Sequence, residues 1–217
     1  MDVLQTIDAD ALVAINNLNS PYFDNFMWMV SSKLSWLLMI VVLLTAVARC
    51  GWRKTLIFVG ALAIAVLLAD QIASGIIKNL VQRPRPTHAP ALEGLLHIVR
   101  DYRGGMYGFV SSHAANSVAA GALLCLAARS RHLWGAMTLW TLLQVYSRMY
   151  LGVHYPGDII GGALVGVVVA VAVYRLWSYM MKRYAGDLSF VSQRDSLMVS
   201  LSVYVTVFII AILSIII

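Results

Sequence analysis

The stretch 146–158, YSRMYLGVHYPGD, places an arginine, a histidine and a carboxylate at a junction between two long apolar runs. Ionisable groups are costly to bury in hydrocarbon and usually mark a functional site there. His154 and Asp158 are four residues apart, so a chain that becomes helical through Pro156 brings them to one face. The carboxylate can then accept one ring N–H of the imidazole. The other ring nitrogen is left as an oriented nucleophile or base, which makes this stretch the first candidate for chemistry.

Two further polar clusters lie at the ends of apolar runs and fall on the same membrane face if the runs alternate across a bilayer. They contain Lys78 and Arg85 in the stretch KNLVQRPRP, and Ser111, Ser112 and His113 in the stretch VSSH. With Arg148, they would bring three cations to the backbone N–H groups of a helix N-terminus. Such a set suits an oxyanion of the size of phosphate. A single Lys or Arg is equally well explained by snorkelling to the interface, but the convergence of all three clusters favours a phosphate site.

The composition indicates an integral membrane protein. Of the 217 residues, 60% are hydrophobic and 12% are charged, and the mean hydropathy is +0.79, far from the values of soluble domains. The net charge of +6 is explained by basic residues beside membrane spans. The sequence has no basic patch interleaved with aromatic residues, the pattern that would indicate nucleic-acid binding. Cys50 and Cys125 form neither a disulfide framework nor a metal-ligand spacing. Residues 1–20 lack the pattern of a cleavable signal peptide.

The apolar runs predict an all-α fold, a polytopic helical bundle with six transmembrane helices and an interfacial N-terminal helix over 4–18. The predicted spans are 26–48, 55–79, 110–128, 133–150, 156–180 and 196–217. The connections at 49–54 and 129–132 are too short to hold further domains, so residues 1–217 are predicted to form a single membrane-embedded domain. The glycines at 157, 161, 162 and 166 have small-xxx-small spacing, which indicates close packing of the fifth span.

The distribution of Lys and Arg predicts the orientation. One face carries nine of them: Arg49, Arg53, Lys54, Arg129, Arg131, Arg175, Lys182, Arg183 and Arg194. The other face carries seven, and four remain when Lys78, Arg85 and Arg148 are set aside as candidates for chemistry. The positive-inside rule therefore places the Arg129 face in the cytoplasm, and six spans place both termini and the segment 80–109 outside.

At these residues the chain resembles the type 2 phosphatidic acid phosphatases, membrane lipid phosphatases whose phosphate site is related to that of the vanadium haloperoxidases. Lys78 and Arg85-Pro86 match the first part of the family signature at full spacing, and Ser147-Arg148, His154 and Asp158 match the third. Ser111 and His113 match the middle part, but Val110 stands where proline is usual and Ser112 where glycine is usual. The resemblance covers about 70–166, and the N-terminal segment and the last span lie outside it.

The resemblance implies a metal-independent phosphatase without a cofactor. His154 would attack phosphorus to give a phosphohistidine, Asp158 would hold the imidazole tautomer, and His113 would protonate the leaving oxygen. The remaining residues would bind the phosphate oxygens: Lys78, Arg85, Ser111, Ser112 and Arg148. The only partners expected are the bilayer and a membrane lipid phosphate, with no obligatory protein partner. The site is expected on the periplasmic or external side of the inner membrane.

Other residues and functions stay open at this point. Arg100 and Arg103 are candidate headgroup contacts beside a predicted short surface helix over 90–99, and Asp70 is expected to form hydrogen bonds inside the bundle. The resemblance offers lipid A, undecaprenyl diphosphate, phosphatidylglycerophosphate and phosphatidic acid as substrate classes, and it favours an envelope lipid such as the first two. The alternatives are a lipid phosphotransferase that uses the same histidine and a lipid transporter. The transporter is disfavoured because the charges lie at one interface and not at the midplane.

Overall fold

A computed structural model describes residues 3–216, and these residues form helices joined by short connections, with no strand among them. The α-helices are α1 (Val3–Asn16), α2 (Pro21–Ser31), α3 (Leu37–Ala48), α4 (Trp52–Asp70), α5 (Lys78–Val81), α6 (Ser112–Ala128), α7 (Arg131–Tyr150), α8 (Pro156–Tyr184) and α9 (Gln193–Ile216). A π-helical segment, Gln71–Ile77, joins α4 to α5 without interruption. A π segment within an α-helix is frequent at functional sites, and this one ends where Lys78 begins the last turn.

The centre of the bundle is α6, which packs most extensively against α8 and also against α7 and α4. Small residues let these helices approach closely. A Cβ atom added at Gly166 of α8 would lie 2.6 Å from the carbonyl oxygen of Ala115 and 2.7 Å from Cβ of Val118. One at Gly162 would clash with the carbonyl oxygen of Ser111. The predicted close packing of this glycine pattern is therefore seen against α6, and it fixes the N-terminus of α6 beside that of α8.

Within residues 3–216, three helices are long and apolar enough to cross a membrane: Trp52–Val81, Pro156–Tyr184 and Gln193–Ile216. A fourth span is possible from Pro21–Ser31 and Leu34–Ala48 taken together, although this pair is bent by 73°. α6 has only 17 residues, and the 20 residues of α7 include Arg131, His132, Gln144 and Arg148. The helical membrane architecture agrees with the sequence prediction. Length and composition alone identify three or four spans, so the count of six stays a prediction.

The bend between α2 and α3 differs from the single span that the sequence predicts over 26–48. Ser32 has extended backbone torsions, and its N–H donates to the carbonyl oxygen of Met29, which ends α2. The carbonyl oxygen of Val30 accepts hydrogen bonds from Trp36 Nε1 and Gln144 Nε2, both at 2.8 Å. Side-chain donors therefore satisfy one of the carbonyl groups that the end of α2 leaves without a helical partner.

The segment between α5 and α6 contains only short 3₁₀ turns, Pro86–His88, Pro90–Leu92 and Val99–Asp101. The predicted surface helix over 90–99 is wrong, because Gly94 adopts a positive φ of 77° and the chain turns there. Leu92 and Val99 are buried instead of lying on a surface. The N-terminal helix is confirmed as α1, which packs across α7 and α8 at the end of the bundle that also carries the segment 82–111.

Candidate active site

The N-terminus of α8 positions a histidine and a carboxylate. Pro156 is the first residue of the helix, and Tyr155 is its N-cap. The Asp158 side chain accepts a hydrogen bond from the backbone N–H of Tyr155 at 3.1 Å. The accepting oxygen, Oδ2, also lies 3.2 Å from Nδ1 of His154. The carboxylate thus caps the helix and holds the imidazole at once, so the tautomer with the proton on Nδ1 is favoured.

His154 is fully buried, and its other ring nitrogen, Nε2, has no hydrogen-bond partner among the described residues. Burial, together with the positive charges of Arg85 and Arg148, holds the pKa of His154 well below its ordinary value of 6.5. The ring is therefore neutral at physiological pH. With Nδ1 donating to Asp158, Nε2 carries a lone pair and is chemically competent as a nucleophile.

Three cations lie around this histidine and within electrostatic reach of one another. Lys78 Nζ donates to Ser112 Oγ at 3.3 Å, and Arg85 Nε donates to the carbonyl oxygen of Tyr107 at 3.1 Å. Arg148 is only 2% exposed and donates to the hydroxyl groups of Tyr102 and Ser31. Over residues 3–216, none of the three forms a salt bridge with a carboxylate.

The N-terminus of α6 forms another wall of the site. Ser111 is the buried N-cap, its Oγ accepting the backbone N–H of Ala114 at 3.4 Å and its own N–H donating to the carbonyl oxygen of Asp158 at 2.9 Å. Ser112 and His113 begin the helix, and the electrostatic neighbours of His113 include Arg148 and His154. The free N–H groups of this first turn add partial positive charge to that of the cations.

The structure thus brings together all eight residues that the sequence predicts for catalysis and phosphate binding. The candidate headgroup contacts lie elsewhere in the 82–111 segment. Arg100 donates to Asn25 Oδ1 at 3.0 Å, and Arg103 donates to the carbonyl oxygen of Thr87 at 3.3 Å. Asp70 accepts a hydrogen bond from Asn116 at 3.4 Å, inside the bundle as the sequence predicts.

Sequence reasoning missed Arg83, which forms salt bridges with Asp158 Oδ1 at 3.2 Å and with Asp8 Oδ2 at 2.7 Å. It also missed the two hydroxyl partners of Arg148, Ser31 and Tyr102. The position of Arg83, two residues before Arg85 and after the end of α5, was the available signal. Nothing in the sequence around Asp8, Ser31 or Tyr102 indicates that they meet residues more than 40 positions away.

An apolar cavity of about 450 Å³ extends from this site into the bundle. Ser112, His113 and Lys33 line it at the site end, and Phe58, Leu124 and Met137 are among its apolar lining residues. From Ser112 to Leu124, α6 rises about 18 Å at 1.5 Å per residue. The cavity is thus long and mostly apolar, with Ser112, His113 and Lys33 at the end beside the phosphate site.

The family model of the PAP2 superfamily matches residues 54–182, which is more than half of the chain. This chain belongs to the PAP2 superfamily. The matched region contains every residue of the phosphate site described above. The three sequence clusters therefore correspond to the family to which the resemblance pointed.

Two curated PAP2 relatives match most of the chain. A lipid A 4′-phosphatase of Bacteroides thetaiotaomicron is 36% identical over 168 residues, which is 76% of this chain and 75% of the relative. A lipid A 4′-phosphatase of Porphyromonas gingivalis is 32% identical over 190 residues, 86% of this chain and 79% of the relative. The crystal structure of a PAP2-type phosphatidylglycerolphosphate phosphatase from Bacillus subtilis superposes with a TM-score of 0.61 at 21% identity, covering 85% of this chain and 90% of that one. That structural likeness shows a shared fold.

Proposed function

We propose that this protein is a lipid phosphatase that removes a phosphate from a bacterial envelope lipid, with lipid A as the leading substrate. The observation that carries the proposal is a neutral, buried histidine whose unpartnered Nε2 lies among three cations that have no carboxylate partner over residues 3–216. Buried cations without counter-charges are unfavourable unless a ligand neutralises them, and a phosphate group carries the required charge.

The reaction has two steps. His113 starts protonated, because the bound phosphate dianion offsets the neighbouring cations. Nε2 of His154 attacks phosphorus and forms an N–P bond, while the P–O bond to the lipid breaks and His113 donates its proton to the departing alkoxide. A water molecule then attacks the phosphohistidine, and His113, now neutral, takes a proton from it. The N–P bond breaks, inorganic phosphate leaves, and both histidines return to their starting states. Asp158 keeps Nδ1 protonated throughout and stabilises the cationic ring.

The three cations stabilise the transferring phosphoryl group, with Ser111, Ser112 and the backbone N–H groups of the first turn of α6. Charge in phosphoryl transfer spreads over the three equatorial oxygens, so donors held in place before the reaction lower the barrier. Arg85 and Arg148 are well suited to this role because buried hydrogen bonds fix their guanidinium groups.

We further propose that the chain spans the inner membrane six times, with the site at the periplasmic face. The nine-to-four asymmetry of Lys and Arg supports this orientation. α6 begins and α7 ends at the site end, and both pack among longer apolar helices, which supports a bundle of alternating direction in which both cross the membrane. The bend of α2 against α3 then lies at the site end, where Ser31 meets Arg148.

Lipid A leads among the substrate candidates because two relatives that match 86% and 76% of this chain, at 32% and 36% identity, are lipid A 4′-phosphatases. The apolar cavity supports a lipid substrate in general, since its length and lining suit an acyl chain whose headgroup lies at the phosphate site. Phosphatidylglycerophosphate and phosphatidic acid are phosphate monoesters like lipid A, whereas attack on the terminal phosphorus of undecaprenyl diphosphate breaks an anhydride and releases a lipid phosphate. These three lipids form the comparison set.

The test is phosphate release by the purified protein on these four lipids in one detergent. We expect the highest kcat/KM on lipid A, with mass spectrometry showing the loss of a single phosphate from the 4′ position. The His154→Ala variant serves as the background control. Faster release from another lipid would reassign the substrate, and phosphate recovered on an added alcohol instead of in solution would identify a phosphotransferase. No release from any of them would refute the proposed function.

A further inference from the structure

Arg83 differs from the three cations of the phosphate site because its charge is already neutralised. Nη1 lies 3.2 Å from Asp158 Oδ1, and Nη2 lies 2.7 Å from Asp8 Oδ2. The guanidinium carbon also stacks 3.8 Å over the ring of Tyr155, the residue that precedes α8. With two carboxylates and one aromatic face as partners, the guanidinium group is committed to protein contacts and is not a phosphate ligand.

The two oxygens of the Asp158 carboxylate have different partners. Oδ2 accepts the N–H of Tyr155 and lies against Nδ1 of His154, while Oδ1 is held by Arg83. A carboxylate held at one oxygen can rotate about its side-chain bonds. Bonds at both oxygens fix its plane, and the plane of the carboxylate sets the direction in which the imidazole is held.

Asp8 anchors this arrangement from the N-terminal helix α1. Its Oδ1 accepts the backbone N–H of Gly157 at 2.7 Å, one of the free N–H groups at the start of α8. The approach depends on the absence of a side chain, because a Cβ atom at Gly157 would lie 2.8 Å from Asp8 Oδ2. α1 is thus tied at one carboxylate both to the backbone beside the histidine and to the arginine that holds Asp158.

We propose that Arg83 and Asp8 are positioning residues for the His154–Asp158 pair, so that the docking of α1 sets the reactivity of the nucleophile. Arg83 holds Asp158 ionised and in plane, and Asp8 holds Arg83. Neither touches the substrate. This inference rests on the proposed function, because it assigns these residues a role in the same phosphoryl transfer.

The test compares Arg83→Ala, Arg83→Lys and Asp8→Asn with two matched controls, Arg131→Gln and Asp10→Asn. Arg131 and Asp10 are exposed, and Asp10 lies on α1 two residues from Asp8. We expect kcat to fall roughly 10- to 100-fold in Arg83→Ala. Losses of this size are usual when a residue that helps to orient a functional histidine is removed. Arg83→Lys should keep an intermediate rate, Asp8→Asn should lose several-fold, and the controls should match the wild type.

Two readouts separate positioning from a scaffold role or a direct phosphate contact. The inhibition constant for inorganic phosphate should stay within about twofold of wild type in every variant, since the phosphate ligands are intact. Added guanidinium ion should restore part of the kcat of Arg83→Ala, because a free cation can occupy the space between the two carboxylates. A merely unstable variant would show no such rescue.

Each rate is measured on nitrophenyl phosphate as well as on the lipid, so the result does not depend on the lipid identity. Wild-type kcat in both Arg83→Ala and Asp8→Asn would overturn the inference, as would a large rise in the phosphate inhibition constant. If Arg83→Ala does not fold, Asp8→Asn and Arg83→Lys decide the question. A wild type active on nitrophenyl phosphate but on none of the lipids would refute the proposed lipid phosphatase function, while the variants would still decide the positioning roles. A wild type without any phosphatase activity would overturn both proposals.

Discussion

The two histidines of the site are held differently. His154 is fully buried with Nδ1 against Asp158, whereas His113 is partly exposed in the first turn of α6 and lines the cavity. A residue that forms a covalent intermediate cannot be replaced by a neighbour, so His154→Ala should abolish turnover of every substrate. A general acid matters only for a leaving group that needs a proton.

The role of His113 can therefore be read from two leaving groups. His113→Ala should lose roughly 10²–10⁴-fold on the lipid, whose alkoxide is a poor leaving group. The variant should recover much of its rate on nitrophenyl phosphate, because the nitrophenolate leaving group departs without protonation. Both substrates are measured in the same detergent to control for access to the site. An equal loss on both, or a phosphoenzyme trapped on His113, would contradict the assignment.

The lowered pKa of His154 predicts a pH-dependent stability. Below the ordinary value of 6.5, the unfolded chain binds a proton at this residue that the folded protein does not bind. The contribution of His154 to the free energy of unfolding should therefore be fully present above that pH. It should decrease as the pH falls below it, by about 1.4 kcal/mol per pH unit. The measurement is the melting temperature of wild type minus that of His154→Asn, in phosphate-free detergent solution between about pH 5 and 8. A difference that stays constant over this range would show that His154 is not held neutral.

For individual residues, the sequence predicted the catalytic and phosphate-binding side chains well, but it did not predict the residues that hold them in place. His154, Asp158 and the three cations could be assigned because spacing along a helix and position at the ends of apolar runs limit where they lie. Arg83 could not be separated from Arg85 in the same way, since both follow α5 and both are basic. Only the fold shows that Arg83 pairs with two carboxylates, whereas Arg85 pairs with none within residues 3–216.

Among the elements, the contact between α6 and α8 has the most direct effect on the site, because it sets the distance between the two helix N-termini. Gly166→Ala should destabilise the protein by about 1–3 kcal/mol, since its Cβ would overlap Ala115 and Val118. Phosphate release should fall with it as α6 and its N-terminal residues shift. Gly60→Ala is the matched control, because Gly60 is exposed on α4 and its Cβ would meet no atom within 4 Å.

The expected outcome for Gly60→Ala is neutral to stabilising by up to about 1 kcal/mol, from helix propensity alone. Thermal unfolding in detergent and the phosphate release rate are measured for both variants. Equal stability of the two would mean that the glycine spacing is not a packing feature.

The bend between α2 and α3 could not have been predicted from the sequence. No proline or glycine lies between Pro21 and Ala48, so the run 26–48 reads as continuous. The break depends on Gln144, 114 residues away, which donates to the carbonyl oxygen of Val30. By contrast, the helix Trp52–Val81 and the start of α8 follow directly from the apolar run and from Pro156.

For the whole molecule, the orientation can be tested with reporters. Fusions at the C-terminus should be active as a periplasmic phosphatase and dark as a cytoplasmic fluorescent protein, because the basic face lies at the opposite end. Insertions at the α6–α7 connection, near Arg129, should give the reverse pattern and serve as the control. A fluorescent C-terminal fusion would contradict both the orientation and the six-span arrangement.

Metal independence is a second prediction for the whole molecule. Among residues 3–216, no three His, Cys, Asp or Glu side chains are grouped as metal ligands, and the cations supply the charge that a metal normally brings. Phosphate release should stay within about twofold of the control rate in EDTA, with a magnesium-dependent phosphatase as the positive control for chelation. Orthovanadate should inhibit, because its five-coordinate form resembles the transition state. Loss of activity in EDTA that magnesium restores would contradict this prediction.

Lys78, Arg85 and Arg148 have no carboxylate partner within residues 3–216, and this also affects the energetics of folding. Without a bound anion, repulsion among these groups and their desolvation oppose the folded state. A tetrahedral oxyanion relieves both costs, so phosphate, sulfate or vanadate should raise the melting temperature. A ligand that binds only the folded state adds about 2.7 kcal/mol at a hundred times its Kd. The protein stored in phosphate should therefore outlast the same protein in an amine buffer, and the thermal shift ranks anions by affinity without any turnover.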